Sequence, residues 1–170
     1  MFPQQLILIR ERLSVSLLAV TLVFTVGCGK ADWQADTYPA MGTLTINGET
    51  PVGALVELHP KGEATDVRNS LPWGLVEEDG TFTLSTYEMG DGAPPGEYAV
   101  TIKWSPDVNS PTLADRLNGA FREPGQSQWT VTIAEEDNEI PAIEITDAKV
   151  SSSEQAGKRR KRVPGPDLAR

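Results

Sequence analysis

The chain has 170 residues, of which 24 are acidic and 15 basic, and its net charge at neutral pH is −9. This length fits one domain, and the 15 glycines and 13 prolines favour a fold of many short strands over a helical bundle. Residues 30–149 carry 21 acidic but only 7 basic side chains. So acidic a body argues against nucleic acid as a partner, because phosphate binding needs a basic face.

The first 27 residues have the pattern of a secretory signal peptide. Arg10 and Arg12 precede an apolar segment over residues 13–26, and a basic stretch followed by a short apolar one is typical of such signals. This segment is shorter than the roughly 20 residues that span a bilayer as a helix. The sequence therefore predicts export, with a signal peptide over residues 1–27 and a mature protein that has no transmembrane helix.

The apolar segment ends at the only cysteine of the chain, Cys28. The sequence Thr25-Val26-Gly27-Cys28 resembles the bacterial lipobox, in which small residues precede a cysteine that is acylated before cleavage. The resemblance implies lipidation of Cys28, and two or more acyl chains hold a protein stably on a membrane. We therefore expect a lipid membrane as a partner and a location in the bacterial cell envelope, periplasmic or associated with the outer membrane. The alternative is an ordinary signal peptide with a stray cysteine, or an uncleaved anchor.

Residues 28–38 are polar and without periodicity apart from Trp33, so we predict a tether in which Trp33 is exposed. From residue 39 to 148, short runs of alternating polar and apolar residues are separated by turn signals, as in β-strands. The strongest of these signals is Asn47-Gly48, which favours a hairpin. The predicted strands lie within residues 43–46, 52–59, 75–76, 81–86, 97–104, 129–133 and 140–145. We predict an all-β fold, a seven-stranded antiparallel β-sandwich.

One helix is predicted in the long connection over residues 105–126. Ser110-Pro111 offers an N-cap followed by proline at the first helical position. Leu113 and Leu117 are four residues apart, and Asn118-Gly119 suits the end of a helix. We expect a short helix or helical turn that packs on the sandwich, with a functional role for the connection as the alternative.

Four short motifs resemble those of carboxypeptidase regulatory-like domains, which are transthyretin-like (prealbumin-like) sandwiches of about seven strands. They are Gly42–Gly48, Pro51–Leu58, Asp79–Phe82 and Pro95–Tyr98. The resemblance implies this fold for residues 39–148. The residues of these motifs are expected to have a structural role, because Asp-Gly and Pro-Gly pairs favour tight turns.

A closer similarity is to small lipoproteins abundant in planctomycete bacteria. It rests on Thr86-Tyr87, on Gly90–Gly96 and on Ala114–Gly119. This resemblance implies the fold and the membrane location, and it carries no biochemical activity over to the chain.

Residues 149–170 are of low complexity and are predicted to form a disordered basic tail. The tail contains five consecutive cations, Lys158, Arg159, Arg160, Lys161 and Arg162. These could contact anionic lipid head groups or other polyanions of the cell surface. The alternative is a solvated tail that folds back on the acidic body.

The composition argues against an enzyme and against a metal or cofactor. His59 is the only histidine, whereas zinc sites, the iron sites of intradiol dioxygenases and the sites of transthyretin-like hydroxyisourate hydrolases need more. A Ser-His-Asp triad would have to use His59, and no nucleophile-elbow motif is present. The acidic runs at 77–79 and 135–139 lack the spacing of a calcium loop, and we expect solvated turns there. A hydrolase that uses two carboxyl groups is left open, since nothing in the sequence selects such a pair.

Two aromatic residues are candidate ligand contacts. Trp73 lies in Pro72-Trp73-Gly74, which is predicted as a loop, and Tyr87 opens the segment before Pro95. The alternative for Trp73, as for Trp104 and Trp129, is a core or partly core position in or beside a strand. Exposed aromatic side chains supply large contact areas to sugars and peptides. The sequence thus leads to two hypotheses. The first is a membrane-anchored, non-enzymatic envelope lipoprotein that acts as a structural or interaction module, with an envelope protein or a glycan as partner. The alternative is a carbohydrate- or peptide-binding sandwich that uses loop aromatics.

Overall fold

The structure is a computed structural model that describes residues 30–107 and 114–152. The chain divides into two compact units, Met1–Asp32 and Trp33–Arg170, and the strands within the described residues belong to the second. The predicted signal peptide with Cys28, and the five cations of the tail, lie outside the described residues. Within the described ranges, no helix has the length and apolar character needed to cross a membrane.

The second unit is built from short strands in two sheets. Those described are β1 (Ala40–Ile46), β2 (Ala54–Pro60), β3 (Trp73–Leu75), β4 (Thr81–Thr83), β5 (Gly96–Trp104), β6 (Thr130–Ile133), β7 (Asn138–Glu139) and β8 (Ile143–Ile145). In the first sheet β1 pairs antiparallel with β4 and parallel with β7 and β8. The second sheet is antiparallel throughout, in the order β3-β2-β5-β6. A 3-10 helix covers Pro124–Gln126.

The core lies between the two sheets and follows from the period-two alternation of the strands. Every second residue of β1 and of β2 is buried, as is expected when one face of a sheet packs inward. In β5 the central residues are buried on both faces, and the amides of Val100 and Ile102 donate to the carbonyls of Trp129 and Phe121 in the neighbouring connection. The largest fully buried side chains include Leu44, Ile46, Val56, Leu58, Phe82, Leu84, Tyr98, Val100, Ile102, Leu117 and Ile133.

The strand register sorts the connections to two opposite ends of the sandwich. At one end Tyr38 pairs with Ala93, and Pro60 stands opposite Tyr98. This end, called the Tyr38 end, collects residues 33–39, 61–72, 85–95 and 134–137. The opposite end, called the Val52 end, collects residues 47–53, 76–80, 105–107, 114–121 and 146–152.

The prediction of an all-β fold is confirmed, whereas the details of the sandwich differ in three ways. The described residues form eight strands rather than seven, because the single strand predicted over 140–145 is replaced by β7 and β8 on either side of Pro141, which has no N–H for a ladder. The first sheet is mixed rather than antiparallel. Asn47 and Gly48 do form a tight turn with φ of 54° and 79°, but the chain then crosses to the other sheet, so no hairpin pairs β1 with β2.

The described part of the connection over 105–126 contains no α-helix, so of the two predicted forms only a turn is present there, besides the 3-10 helix at Pro124–Gln126. Residues 116–121 form turns, and the start of the predicted helix, at 110–113, lies outside the described residues. Asn118 and Gly119 do adopt the left-handed conformation, with φ of 57° and 80°. The turn is held by Asp115, whose carboxylate accepts hydrogen bonds from the amides of Leu117 and Gly119. A side chain that satisfies these amides locally competes with helix formation.

Candidate functional site

Trp73, the first candidate ligand contact, lies in β3 and not in a loop. It stands opposite Glu57 of β2, and its amide and carbonyl both pair with Ser85, at 2.9 and 2.8 Å. Because Ser85 follows β4, this pairing joins the two sheets along one edge. The Trp73 side chain is half-buried and shares the outward face of β3 with the exposed Leu75. The backbone of Trp73 thus has a structural role, while its half-buried side chain is partly accessible to a ligand.

Tyr87, the second candidate, is engaged by other residues of the protein. Its hydroxyl donates a hydrogen bond to Asp66 Oδ2 at 2.9 Å and accepts one from the Ala35 amide at 3.0 Å. Its ring meets the ring of Trp33 edge to face, with centroids 5.5 Å apart and planes at 87°, a favoured arrangement for aromatic pairs. Tyr87 therefore fastens the chain that precedes β1 to the Tyr38 end of the sandwich.

The pKa of Tyr87 reflects this environment. Partial burial raises the pKa to about 12, and the hydrogen bond to Asp66 together with the negative charges of Asp66 and Asp91 acts in the same direction. The hydrogen bond from Ala35 opposes the shift but does not cancel it. The hydroxyl is thus held in its neutral form, which is the form that can donate to a carboxylate.

Trp33 is half-buried, so the prediction of an exposed side chain is wrong. The Trp33 ring contacts the Tyr87 ring and also the guanidinium of Arg68, whose central carbon lies 3.8 Å from the centroid of the Trp33 ring. Such cation–π contacts stabilise by about 0.5–1 kcal/mol at exposed sites. Together with Asp66, these residues form what we call the Trp33 cluster: Trp33, Asp66, Arg68 and Tyr87.

Asp66 shapes the loop that supplies Arg68 to the Trp33 cluster. Its Oδ1 accepts hydrogen bonds from the amides of Arg68 at 2.7 Å and Ser70 at 3.2 Å, while Oδ2 accepts from Tyr87. Burial by itself would raise the pKa of Asp66, but the hydrogen bonds from Ser70, Tyr87 and Arg68 together lower it below its usual value. The carboxylate therefore stays ionised and keeps the loop in one conformation.

Asp91 organises the second loop in the same manner. One carboxylate oxygen accepts from the Thr86 amide at 2.6 Å, and the other accepts from the amides of Tyr87 and Glu88, at 3.0 and 3.2 Å. The Gly90 amide donates to Ser85 Oγ at 2.8 Å. Three backbone donors on one carboxylate are typical of a rigid turn. The motif Gly90–Gly96 noted in the sequence thus fixes the loop that positions Tyr87.

The segment before β1 is also held through its backbone. Tyr38 and Ala93 exchange two hydrogen bonds, at 2.9 and 3.0 Å. Gly92 beside them has φ of 87°, and a Cβ there would overlap the Tyr38 carbonyl. Glycine is required at this position both for its conformation and for the close approach of the two chains. Residues 33–38, predicted as part of a free tether, are therefore docked on the sandwich.

His59 lies on the outward face of the second sheet, between two polar neighbours. Its Nε2 is 2.9 Å from Thr101 Oγ1 and 3.1 Å from Glu57 Oε2. In a Ser-His-Asp triad the carboxylate and the hydroxyl contact opposite ring nitrogens, so that one orients the base and the other gives up its proton. Here one nitrogen meets both partners and Thr101 is buried. The three side chains tie β2 to β5 and lack the geometry of a triad.

The acidic runs form exposed turns. Glu77, Glu78 and Asp79 are exposed, and hydrogen bonds from the hydroxyl and amide of Thr81 lower the pKa of Asp79. Residues 134–137 are exposed as well, and the Asn138 side chain bridges this turn. Among residues 30–107 and 114–152, no three histidine, cysteine or carboxylate side chains come together in a way that could hold a metal ion.

At the Val52 end, the motif Ala114–Gly119 has a structural role of the same kind. Asp115 is buried, and besides the amides within its own turn it accepts the amide of Trp104 at 3.0 Å. The guanidinium of Arg116 covers the Trp104 ring at 3.6 Å. These contacts fasten the connection to the end of β5.

No family model matches the chain, and no curated protein matches it significantly. The likeness to carboxypeptidase regulatory-like domains and to planctomycete lipoproteins stays a prediction.

Proposed function

We propose that this protein is a lipoprotein of the bacterial cell envelope, anchored through acylated Cys28, whose β-sandwich acts as a structural or interaction module and not as an enzyme. The observation that carries the proposal is the docking of residues 33–38 on the Tyr38 end. A flexible tether lets an anchored domain sample a volume that grows with the length of the tether. A chain fastened a few residues after its anchor point is instead suited to hold the sandwich beside the membrane.

The non-enzymatic part of the proposal is supported by what the polar side chains do. The buried and half-buried carboxylates of Asp66, Asp91 and Asp115 accept backbone amides, and His59 bridges two strands. Groups used in this way fix loops and strands, which is a structural use of polar side chains. Turnover of any member of a broad hydrolase substrate panel by the full chain would contradict this part.

We further propose a transthyretin-like sandwich of the carboxypeptidase regulatory-like kind. The positions of the sequence motifs support it, since Asp79-Gly80 lies in the turn before β4 and Pro95-Gly96 leads into β5. Solving the structure by crystallography and comparing its strand connections with those of such domains tests this proposal.

The anchor is tested by metabolic labelling of producing cells with palmitate. We expect label on the wild-type chain and none on the Cys28→Ser variant, which should also accumulate with an uncleaved signal peptide. Tyr87→Phe is the control, because it loosens the docked segment but leaves the lipobox intact, so it should be labelled as the wild type is. Separation of inner and outer membranes then tests the location. Label that persists in Cys28→Ser would overturn the proposal.

One observation favours the second candidate function, a carbohydrate- or peptide-binding sandwich. The half-buried Trp73 stands beside Glu57 on an outward sheet face that also carries Leu75, and an aromatic ring next to a carboxylate can stack on a sugar and bind its hydroxyls. A glycan and peptide array tests it, with Trp73→Ala expected to abolish any binding and Tyr87→Phe expected to leave it unchanged.

A further inference from the structure

Two of the large apolar side chains at the Tyr38 end are unusually exposed. Val67 is 84% exposed and Met89 is 83% exposed, whereas the next most exposed large apolar side chain among the described residues, Met41, reaches 58%. Single exposed apolar residues are common on protein surfaces and need no explanation. What distinguishes this pair is its place, because both residues flank the Trp33 cluster.

The positions of both residues are fixed by hydrogen bonds. Val67 lies between Asp66 and Arg68, whose loop is closed on the Asp66 carboxylate. Met89 lies in the turn that the Asp91 carboxylate closes. The Tyr87–Asp66 hydrogen bond joins the two loops. Because the loops are already ordered, burying their tips against a partner would cost little conformational entropy.

The length of chain between the anchor and the Trp33 cluster limits where lipid can be. Cys28 and Trp33 are five residues apart, and a fully extended chain covers at most about 18 Å over that distance. Trp33 itself is fixed against Tyr87 and Arg68. If Cys28 carries acyl chains, the bilayer surface must therefore come within about 18 Å of Trp33, which contacts the loops that carry Val67 and Met89.

From this geometry we propose that Val67 and Met89 rest in the surface of the bilayer to which Cys28 is anchored, so that the Tyr38 end faces the membrane. This proposal rests on the proposed lipidation. Trp33 and Arg68 suit the same setting, since aromatic rings and long cationic side chains are favoured at the boundary between head groups and water. The Val52 end then points away from the membrane.

Charge selects the kind of lipid. The two loops, residues 61–72 and 85–95, carry four acidic side chains, Glu63, Asp66, Glu88 and Asp91, against two basic ones, Lys61 and Arg68. Such a surface is repelled by anionic head groups at low ionic strength. The occupant we assign is therefore a bilayer of zwitterionic phospholipid, with the covalent anchor supplying the attachment and the two apolar side chains setting the orientation.

The test measures the depth of single probes on the full lipidated chain in liposomes of phosphatidylcholine and phosphatidylethanolamine. Because acylation consumes the thiol of Cys28, the variants Val67→Cys, Met89→Cys and Val52→Cys each offer one thiol for an environment-sensitive fluorophore. Val52 is the matched control, since it is 50% exposed but lies at the opposite end. Circular dichroism checks that each variant is folded.

With interfacial side chains roughly 5–10 Å into the boundary, we expect lipids brominated on their acyl chains to quench the probes at 67 and 89 on the order of threefold more than the probe at 52. Equal quenching at all three positions, with the protein still bound to the liposomes, would overturn the proposal and leave the lipoprotein function standing. A chain that does not float with the liposomes and carries no palmitate would overturn the lipoprotein function itself. If the fluorophores at 67 and 89 report an apolar environment in native envelope membranes but not in the liposomes, the surface around Val67 and Met89 binds a protein partner, and the lipid assignment is refuted.

Discussion

The substitution Tyr87→Phe separates the docked segment from the rest of the fold. It keeps the ring that packs on Trp33 and removes the hydroxyl, which donates to Asp66 and accepts from the Ala35 amide. A hydrogen bond to an ionised acceptor contributes about 1.5–3 kcal/mol and one between neutral groups about 1 kcal/mol. Because these groups are only half-buried, we take the lower values and expect docking to weaken by about 2 kcal/mol in total.

This loss corresponds to roughly a 30-fold shift from docked to released segment. Amide hydrogen exchange measures it at Tyr38, whose amide donates to the Ala93 carbonyl at 2.9 Å and should exchange about 30-fold faster in Tyr87→Phe while amides of the central strand β5 keep their rates. Tyr38→Phe is the matched control: it removes a hydroxyl from the same segment without touching either hydrogen bond of Tyr87. A Tyr38 amide that exchanges equally fast in the wild type and in Tyr87→Phe would refute the role of this hydroxyl.

Three further outcomes are expected. Gly92→Ala should destabilise the fold by more than about 2 kcal/mol in urea denaturation, because its Cβ would overlap the Tyr38 carbonyl. Gly90→Ala is the control: its Cβ would meet no atom, so only the φ of 75° is unfavourable and the loss should be about 1 kcal/mol. Equal effects of the two substitutions would contradict the close approach of residue 92 to Tyr38. Asp115→Ala removes the acceptor of three buried or half-buried amides and should lower the free energy of unfolding by about 3 kcal/mol. Asp115→Asn keeps one acceptor oxygen, so the free energy of unfolding should fall by only about half as much. Tyr87 favours the folded state in its neutral form, so its contribution should be complete below pH 10 and lost as pH rises toward 12. We expect Tyr87→Phe to lose a tyrosinate absorbance step near 12, and the loss of a step near 10 instead would contradict this.

The strand content of the fold could be predicted because it depends on local patterns. Period-two alternation identified the strands that became β1, β2, β5 and β6, and Asn47-Gly48 formed the tight turn that its left-handed preference requires. Sheet membership could not be predicted, since a tight turn does not decide whether its arms pair with each other. The mixed first sheet depends on β7 and β8 meeting β1 about 100 residues away in sequence, and no local pattern encodes that contact.

The candidate site was predicted in part. Tyr87 was selected as an exposed aromatic, but its partners Trp33 and Asp66 lie 54 and 21 residues away in sequence, so the contacts that engage its hydroxyl and ring depend on the folded loops. The same holds for Trp33, whose polar neighbours suggested a free tether. Gly92 could have indicated the docking of residues 33–38, because a glycine among residues of turn propensity can mark the close approach of another segment of the backbone.

Docking of residues 33–38 also determines which partners the sandwich could reach. A free tether of 11 residues would have a root-mean-square reach of about 18 Å, whereas the five residue steps left between Cys28 and Trp33 have one of about 12 Å. With the Tyr38 end on the lipid, β5, which is nine residues long, would raise the Val52 end by about 30 Å. A partner in the envelope would then meet the Val52 end at that height, where Arg116 covers Trp104 and residues 147–149 begin the approach to the basic tail. Substitutions for partner binding should therefore be sought at the Val52 end, and a partner whose binding depends only on side chains of the Tyr38 end would contradict this orientation.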